Sequence, residues 1–257
     1  MQDSPLTYVF LCLSALAAGA INSIAGGGTL ATFPALLSVL SAVPANATST
    51  FALLPGSFAS AWGYRQELAA SRPMLMRLFF PSLFGGVLGA LAVTRFPEKV
   101  FENLVPWLLL TATTLMLLQK PIARWIGAHP HDAPSARTVA GVVFFQFLVG
   151  IYGGYFGAGI GILMLSTLGF MGIPDIHQMN GIKSILASVM NGIGTAIFVM
   201  EGKVVWHYAI PMAAASIVGG YAGARLARKL TAATVRSIVI CIGFGVAAYS
   251  FYKRFAS

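Results

Sequence analysis

One lysine of this sequence stands inside an apolar stretch, and its amine is the first candidate for chemistry. Lys183 belongs to the run MNGIKS at 179–184, whereas the other fifteen Lys and Arg residues lie at the ends of apolar segments or between them. A charge in the middle of a bilayer costs at least about 2.5–3.5 kcal/mol, so an ionisable residue there is a functional candidate. The structural alternative is an interfacial lysine that snorkels to water. We expect Lys183 to serve as a counter-charge for an anionic substrate.

Small polar residues recur at two places that are 134 residues apart, around Asn46 and Asn180. Each follows a proline-containing turn, so we expect each asparagine at the start of a helix. Helix N-termini offer free N–H groups and a positive dipole end, which suit anions. The alternatives are plain N-capping by asparagine and hydrogen bonding between helices by the hydroxyls. The candidate substrate-binding residues of this kind are Asn46, Thr48, Ser49, Thr50, Asn180 and Ser184.

Glycines interrupt the apolar sequence shortly before each polar cluster. They could open the backbone so that N–H groups face a ligand, or they could allow close helix packing. Close packing fits the repeated pairs Gly85-xxx-Gly89 and Gly219-xxx-Gly223 better, whereas a site role fits the two breaks better. The candidates at the breaks are Gly26, Gly27, Gly28, Gly157 and Gly159, with Asn22 just before the first break.

Catalytic and metal-binding chemistry finds little support. His177 and His207 have no partner at a suggestive spacing, and Cys12 and Cys241 each lie within an apolar run. No nucleotide motif or cysteine cluster is present. We therefore expect no catalytic residue, no metal and no cofactor, and an intramembrane enzyme is the less favoured alternative.

The elements that must position these residues are membrane helices. The chain has 257 residues, of which 57% are hydrophobic and 9% are charged, against about 25% charged residues in soluble domains. Apolar windows such as 6–25, 78–93 and 139–156 approach the roughly 20 residues that cross a bilayer as a helix. The net charge of +9 comes from residues between these windows, as in the basic loops of membrane proteins, so nucleic acid is not an expected partner. The sequence predicts an all-α polytopic membrane protein.

The order of segments indicates an internal duplication. Five segments (6–25, 29–43, 47–64, 74–94 and 101–118) precede a polar linker at 120–137, and five more follow (139–156, 159–173, 182–200, 204–226 and 235–252). The motif at 85–90 returns at 219–224. We therefore predict a first transmembrane repeat at 1–119 and a second at 138–257. The distribution of Lys and Arg favours inverted repeats with both termini outside. The short segments 29–43 and 159–173 suggest re-entrant or discontinuous helices.

The glycine-rich first segment, the stretch PANATS at 44–49 and the second-half pattern GGYFGAGIGIL followed by NGIKS resemble the TauE/SafE sulfite exporter family, also called the toluene sulfonate uptake permease family. The resemblance covers nearly the whole chain. It implies a multi-pass transporter of the cell inner membrane for small sulfur-containing anions or organic acids, such as sulfite or sulfonates. It carries the substrate site to Asn46, Thr48, Ser49, Asn180, Lys183 and Ser184.

These patterns together predict a secondary transporter that moves a small anion by alternating access, with the site at the interface of the repeats. A channel-like anion pore is the alternative. The first half has no lysine at the place of Lys183, so the site should be asymmetric in charge. The expected partners are the anionic substrate and the lipid bilayer, and a homodimer is left open. The scarcity of intramembrane carboxylates favours uniport over cation coupling.

Overall fold

The computed structural model describes residues 4–24, 26–68, 71–127, 136–171, 173, 175–226 and 232–255. Within these residues the chain forms eleven helices and no strand, so the predicted all-α class is confirmed. The helices are α1 Pro5–Ile24, α2 Thr29–Leu37, α3 Ala42–Gly63, α4 Arg65–Leu68, α5 Arg72–Arg95, α6 Glu98–Gly127, α7 Ala136–Tyr155, α8 Ile160–Phe170, α9 Ile176–Met200, α10 Trp206–Leu226 and α11 Ala232–Phe255.

Five of the described helices are long and apolar enough to cross a membrane: α1, α5, the part of α6 at Glu98–Leu118, α7 and α9. Large apolar side chains such as Leu6, Phe84 and Phe144 are more than half exposed on the outer surface. Such a surface suits hydrocarbon and would be costly in water. The chain is therefore a multi-pass membrane protein.

Helices α2 and α8 are too short to cross. They have 9 and 11 residues, or about 14 and 17 Å of helix, against a hydrocarbon core of about 30 Å. Both are shorter than the predicted segments 29–43 and 159–173. Each follows a glycine break and begins at a buried residue, Thr29 in α2 and Ile160 in α8. The expected linker also differs, because α6 continues through residues 120–127, and 128–135 lie outside the described residues.

The packing exchanges one helix between the two halves of the sequence. Helix α10 packs against α1 and α3 of the first half, and α5 packs against α7 and α9 of the second half. Helices α3 and α9 meet at the centre, and α6 packs on α11. At offsets of 131 or 134 residues, α1 corresponds to α7, α3 to α9, α5 to α10 and α6 to α11. Exchanging the members of each pair gives the same pattern of contacts.

The glycine pairs make these close approaches possible. A Cβ on Gly219 would collide with the backbone carbonyl of Leu16 in α1, and a Cβ on Gly85 would collide with that of Phe147 in α7. Gly85 and Gly219 are counterparts in the repeat, as are Leu16 and Phe147. The glycines therefore serve helix packing, as the sequence favoured.

The contacts between helices also give their directions. Ser216 of α10 bonds to the carbonyl of Ala52, and Gly63 at the end of α3 meets Ala224, so α3 and α10 run parallel. In contrast, Thr50 lies against Gly194 while Ser60 bonds to Ser184, so α3 and α9 run antiparallel. The counterpart helices at the centre therefore point in opposite directions.

Candidate functional site

A small polar cavity of about 20 Å³ lies at the centre of the molecule, where the two glycine breaks meet α3 and α9. Three apolar residues, Ile160, Met164 and Ala187, complete its wall. A space of this size holds about one water molecule. The remaining lining residues are Asn22, Gly26, Thr29, Ser57, Ser60, Gly157, Gly161, Lys183, Ser184 and Asn191. The cavity thus brings together residues from both halves of the sequence.

Lys183 is the cationic group among the cavity-lining residues. Its side chain is 2% exposed, and its amine donates to Asn180 Oδ1 at 2.7 Å and to the carbonyl of Ser23 at 3.4 Å. Within the described part of the chain, no carboxylate forms an ion pair with it. The amine does not reach the surface, as snorkelling would require. A buried amine with no carboxylate partner among the described residues therefore lines the cavity.

The two glycine breaks need glycine for their backbone conformation. Gly26 and Gly27 have φ of 79° and 93°, and Gly157 and Gly159 have φ of 80° and 77°. These values lie in the left-handed region, which other residues rarely adopt. The breaks also touch, because a Cβ on Gly26 would lie 2.5 Å from the Cα of Gly161.

The breaks direct the first turns of α2 and α8 at the cavity. Thr29 begins α2 and Ile160 begins α8, and both line the cavity. The N–H groups of Leu30 and Ala31 donate to the carbonyls of Gly27 and Gly28, and that of Ile162 donates to the carbonyl of Gly159. These first turns nevertheless lie at the positive ends of the helix dipoles, which favour negative charge. Asn22 holds the first break in place, since its Oδ1 accepts a hydrogen bond from Gly28 N at 2.6 Å. The site therefore combines two helix N-termini with one ammonium group.

The expected position of the two asparagines at helix starts is wrong. Asn46 and Asn180 are each the fifth residue of their helices, α3 and α9. Asp175 caps α9 instead, since its Oδ1 accepts from His177 N at 2.9 Å. Helix α3 begins before Pro44, because proline is tolerated in a first turn where the N–H has no helical acceptor. The N-termini at the cavity accordingly belong to α2 and α8.

Several predicted site residues lie near the cavity without lining it. Asn46 Nδ2 donates to the carbonyl of Tyr155 at 3.1 Å, and Thr50 bonds to the carbonyl of Asn46. Thr48 accepts from Val205 N at 3.1 Å, and Ser49 bonds to Thr32 at 2.6 Å. The bond of Thr50 stays within α3, whereas Asn46, Thr48 and Ser49 connect α3 to other parts of the chain. Those outside the lining are Asn46, Thr48, Ser49, Thr50, Asn180, Gly27, Gly28 and Gly159.

The cavity also includes polar residues that the sequence motifs did not indicate. Asn191 lies eight residues after Lys183 on the same face of α9, with Ala187 between them. Ser60 bonds to Ser184 at 3.0 Å across the α3–α9 contact. Asn191 could have been found from the sequence, because two steps of four residues along a helix lead from Lys183 to Asn191 on the same face. The missed polar residues are Thr29, Ser57, Ser60 and Asn191.

Three phenylalanines separate the cavity from a groove of about 830 Å³ on one side of the molecule. Thr29, Phe33 and Leu37 follow one another at four-residue spacing on α2, with Thr29 at the cavity and Leu37 at the groove. The ring of Phe33 lies 5.0 Å from that of Phe156 and 6.4 Å from that of Phe101. All three rings are at most 2% exposed. We call Phe33, Phe101 and Phe156 the aromatic cluster, and its buried rings lie between the cavity and the groove.

Apolar spanning helices, two short helices after glycine breaks, and a buried polar site between them are features of membrane transport proteins. The sequence comparison agrees. Residues 11–250 match the family described as sulfite exporter TauE/SafE, and the chain belongs to this family. The resemblance drawn from the sequence motifs is thereby confirmed, and the chain is a membrane transporter.

Curated relatives are similar over almost their whole length. The chain is 28% identical over 255 residues to a probable membrane transporter protein of Sinorhizobium sp, covering 96% of this chain and 94% of that one. It is 26% identical over 255 residues to a probable membrane transporter protein of Haemophilus influenzae, covering 97% and 96%. It is 25% identical to the probable membrane transporter protein YfcA of Escherichia coli, covering 97% and 91%. No solved structure gives a significant match.

Proposed function

We propose that this protein is a secondary transporter for a small anion in the inner, cytoplasmic membrane. The observation that carries the proposal is the buried amine of Lys183, which lines a small cavity without a carboxylate partner among the described residues. An isolated buried charge is expensive, and a bound anion would offset that cost. The same anion would meet the N-termini of α2 and α8, which favour negative charge.

Sulfite or a sulfonate is the substrate that we propose first. The family name supplies this class, and the chemistry of the site is compatible with it. Sulfite oxygens accept hydrogen bonds, and the cavity offers the Asn191 amide and the hydroxyl pair of Ser60 and Ser184, of which one hydroxyl donates to the other and leaves one hydrogen to donate. These donors would surround an oxyanion that is neutralised by Lys183. The proposed role is transport without catalysis.

The small size of the cavity supports a carrier over a channel-like pore. It holds about one water molecule, so an anion with several heavy atoms would require it to widen. On one side the buried rings of the aromatic cluster lie between the cavity and the groove. A carrier passes through narrow states of this kind between openings to either side. A pore would need a continuous path.

Alternating access would use an inverted repeat whose moving parts are not the two sequence halves. The antiparallel packing of α3 and α9 supports inversion. Because α10 packs with α1 and α3, and α5 with α7 and α9, we propose that each moving unit contains one exchanged helix. The site would lie between these units, as in other repeat transporters.

Flux in proteoliposomes tests the proposed function. Purified protein would be reconstituted at a fixed membrane potential and offered sulfite, sulfoacetate, thiosulfate and simple carboxylates, with protein-free vesicles as the control. We expect saturable flux of at least one anion. No flux of any anion would contradict the proposal, and flux that rises linearly with concentration would favour the pore.

A further inference from the structure

Each half of the sequence has an asparagine at the same position of its central helix, α3 or α9. Asn46 and Asn180 are both the fifth residues of their helices and are 1% and 3% exposed. Asn46 bonds to the carbonyl of Tyr155, the last residue of α7. On the other side, Lys183, which bonds to Asn180, reaches the carbonyl of Ser23 at the end of α1. Asn46 thus contacts the carboxyl end of α7 directly, whereas Asn180 is joined to the carboxyl end of α1 through Lys183.

The two positions differ in what the asparagine oxygen meets. Asn180 Oδ1 accepts from the ammonium group of Lys183 at 2.7 Å. Asn46 Oδ1 is buried and has no hydrogen-bond partner among the described residues. Ser49 occupies the position equivalent to Lys183, and its hydroxyl bonds to Thr32. The second half of the sequence thus supplies a cationic side chain beside its asparagine, and the first half supplies none beside Asn46.

The surroundings of Asn46 suit a cation. The carboxyl end of a helix is the negative end of its dipole, and its last carbonyls lack partners within the helix. The chain breaks at Gly157, two residues after Tyr155, so this helix end lies inside the protein. In transporters with broken helices, such carbonyl-rich ends coordinate coupling cations. The oxygens identified here are neutral, whereas Mg²⁺ and Ca²⁺ sites use carboxylates.

We infer that Asn46 Oδ1 and the carbonyls at the end of α7 bind Na⁺. At Asn46 this Na⁺ would occupy the position that the Lys183 ammonium group occupies at Asn180. Gly157 also lines the central cavity, so the cation would sit beside the anion. Opposite charges that bind close together in a dry site stabilise each other. The role of Na⁺ as a coupling ion rests on the proposed function, but its binding does not.

Thermal unfolding of the purified full-length protein tests the inference without any transported anion. The midpoint would be measured in detergent over a titration of sodium gluconate, with choline gluconate keeping the ionic strength constant. We expect Na⁺ to raise the midpoint saturably by about 2–6 °C, because a ligand that binds only the folded state stabilises it. Equal midpoints in Na⁺ and choline would overturn the inference, since a buried water would then be the partner of Asn46.

Variants identify the site. Asn46→Leu removes the oxygen at similar size and should abolish the Na⁺ response, whereas Asn103→Leu, at an exposed asparagine, should keep it. Ser49→Lys places a tethered ammonium group beside Asn46 and should also abolish the response. Should Asn46→Leu not fold, Asn46→Asp decides, since the added carboxylate must lower the Na⁺ concentration at half-effect. An undiminished response in Asn46→Leu, or an unchanged half-effect in Asn46→Asp, would overturn the inference.

The outcomes separate this site from the proposed function. Na⁺ binding with no flux of any tested anion would keep the cation site and remove the anion transporter. Saturable anion flux from a protein that binds no Na⁺ would do the reverse.

Discussion

Single side chains hold the central site in an arrangement that the backbone alone would not keep. Asn22 lies on the last turn of α1 and accepts from Gly28 N at 2.6 Å, across the glycine break. Gly28 itself packs so closely on the carbonyl of Ala18 that no Cβ fits. The start of α2 is thus fixed relative to α1 by one amide and one glycine, and the N–H groups of α2 depend on both.

Removing the acceptor of Asn22 should loosen the first break. In Asn22→Leu the buried N–H of Gly28 loses its partner, which costs about 1–3 kcal/mol. We expect a lower midpoint of thermal unfolding in detergent. Gln66→Leu, at an exposed glutamine outside the cavity, is the control and should leave the midpoint within error. An equal midpoint for Asn22→Leu and the unaltered protein would show that Asn22 does not hold the break.

At this scale the sequence predicted some residues and missed others for physical reasons. Lys183 could be found because a charge in an apolar segment is conspicuous, and Gly157 because a glycine cluster breaks a helix. Asn46 was misplaced because proline is compatible both with a turn and with the first turn of a helix. Ser57 and Ser60 were missed because serines in membrane helices usually bond to their own backbone, as Ser57 does with Leu53.

Helices form the walls of the site, and the short helix α2 forms the wall between the cavity and the groove. Its residues Thr29, Phe33 and Leu37 lead from the cavity to the groove over eight residues, or about 12 Å. The counterpart of Phe33 in α8 is Met164, which itself lines the cavity. The aromatic ring of Phe33 therefore lies on the α2 side of the cavity, and the flexible thioether of Met164 lies on the α8 side.

Truncating the central ring of the aromatic cluster should open the cavity to the groove. A cysteine at Asn191 would report access, in a background without Cys12 and Cys241. Phe33→Ala should raise its rate of modification by a small thiol reagent several-fold, at a stability cost of about 3–5 kcal/mol. Phe84→Ala, at a ring that is 59% exposed, is the control. An unchanged rate in folded Phe33→Ala protein would mean that the cluster does not close this path.

The packing glycines make a paired prediction for the two exchanged helices. Gly219→Ala and Gly85→Ala each place a Cβ against a backbone carbonyl, so each should destabilise the protein by about 1–3 kcal/mol. Gly141→Ala on α7 is the control, since a Cβ at this position would have no other atom within 4 Å. The yield of monodisperse protein on size exclusion, with the unfolding midpoint, measures the effect. Tolerance of both substitutions would refute the close approach of these helices.

The element boundaries show what hydropathy can predict. Long apolar windows predicted α1, α5, α7 and α9 because a spanning helix needs about 20 apolar residues. The exchange of α5 and α10 was not predictable in this way, because hydropathy records burial in lipid or protein without naming the partner. Only the repeated glycines hinted that the two helices make similar contacts.

The whole molecule is arranged around the antiparallel pair of α3 and α9. The start of α3 and the end of α9 must lie on one side of the membrane, and the end of α3 and the start of α9 on the other. Arg65, Arg72 and Arg225 lie toward the second side, so the positive-inside rule predicts that this side is cytoplasmic. We therefore expect the groove, which Ser41 and Ser250 line, to face outward.

Cysteine labelling in intact cells measures this orientation. In a background without Cys12 and Cys241, Ser41→Cys and Glu201→Cys should react with an impermeant maleimide. Gln66→Cys and Arg225→Cys should react only after permeabilisation. Labelling of Ser41→Cys and Gln66→Cys from the same side would contradict a crossing by α3, and opposite sidedness of Ser41→Cys and Glu201→Cys would contradict the inverted arrangement.

The most direct test of the central claim compares two lysine variants in proteoliposomes. Flux of the anion that saturates in the unaltered protein would be measured at fixed potential for Lys183→Met and for Lys99→Met, whose side chain is exposed. Loss of a charged hydrogen-bond donor at a buried site is worth about 1.5–3 kcal/mol, so Lys183→Met should lower flux at low substrate concentration at least about tenfold. Lys99→Met should transport normally. Equal saturable flux in Lys183→Met and the unaltered protein would contradict the claim that this amine is the counter-charge of the transported anion.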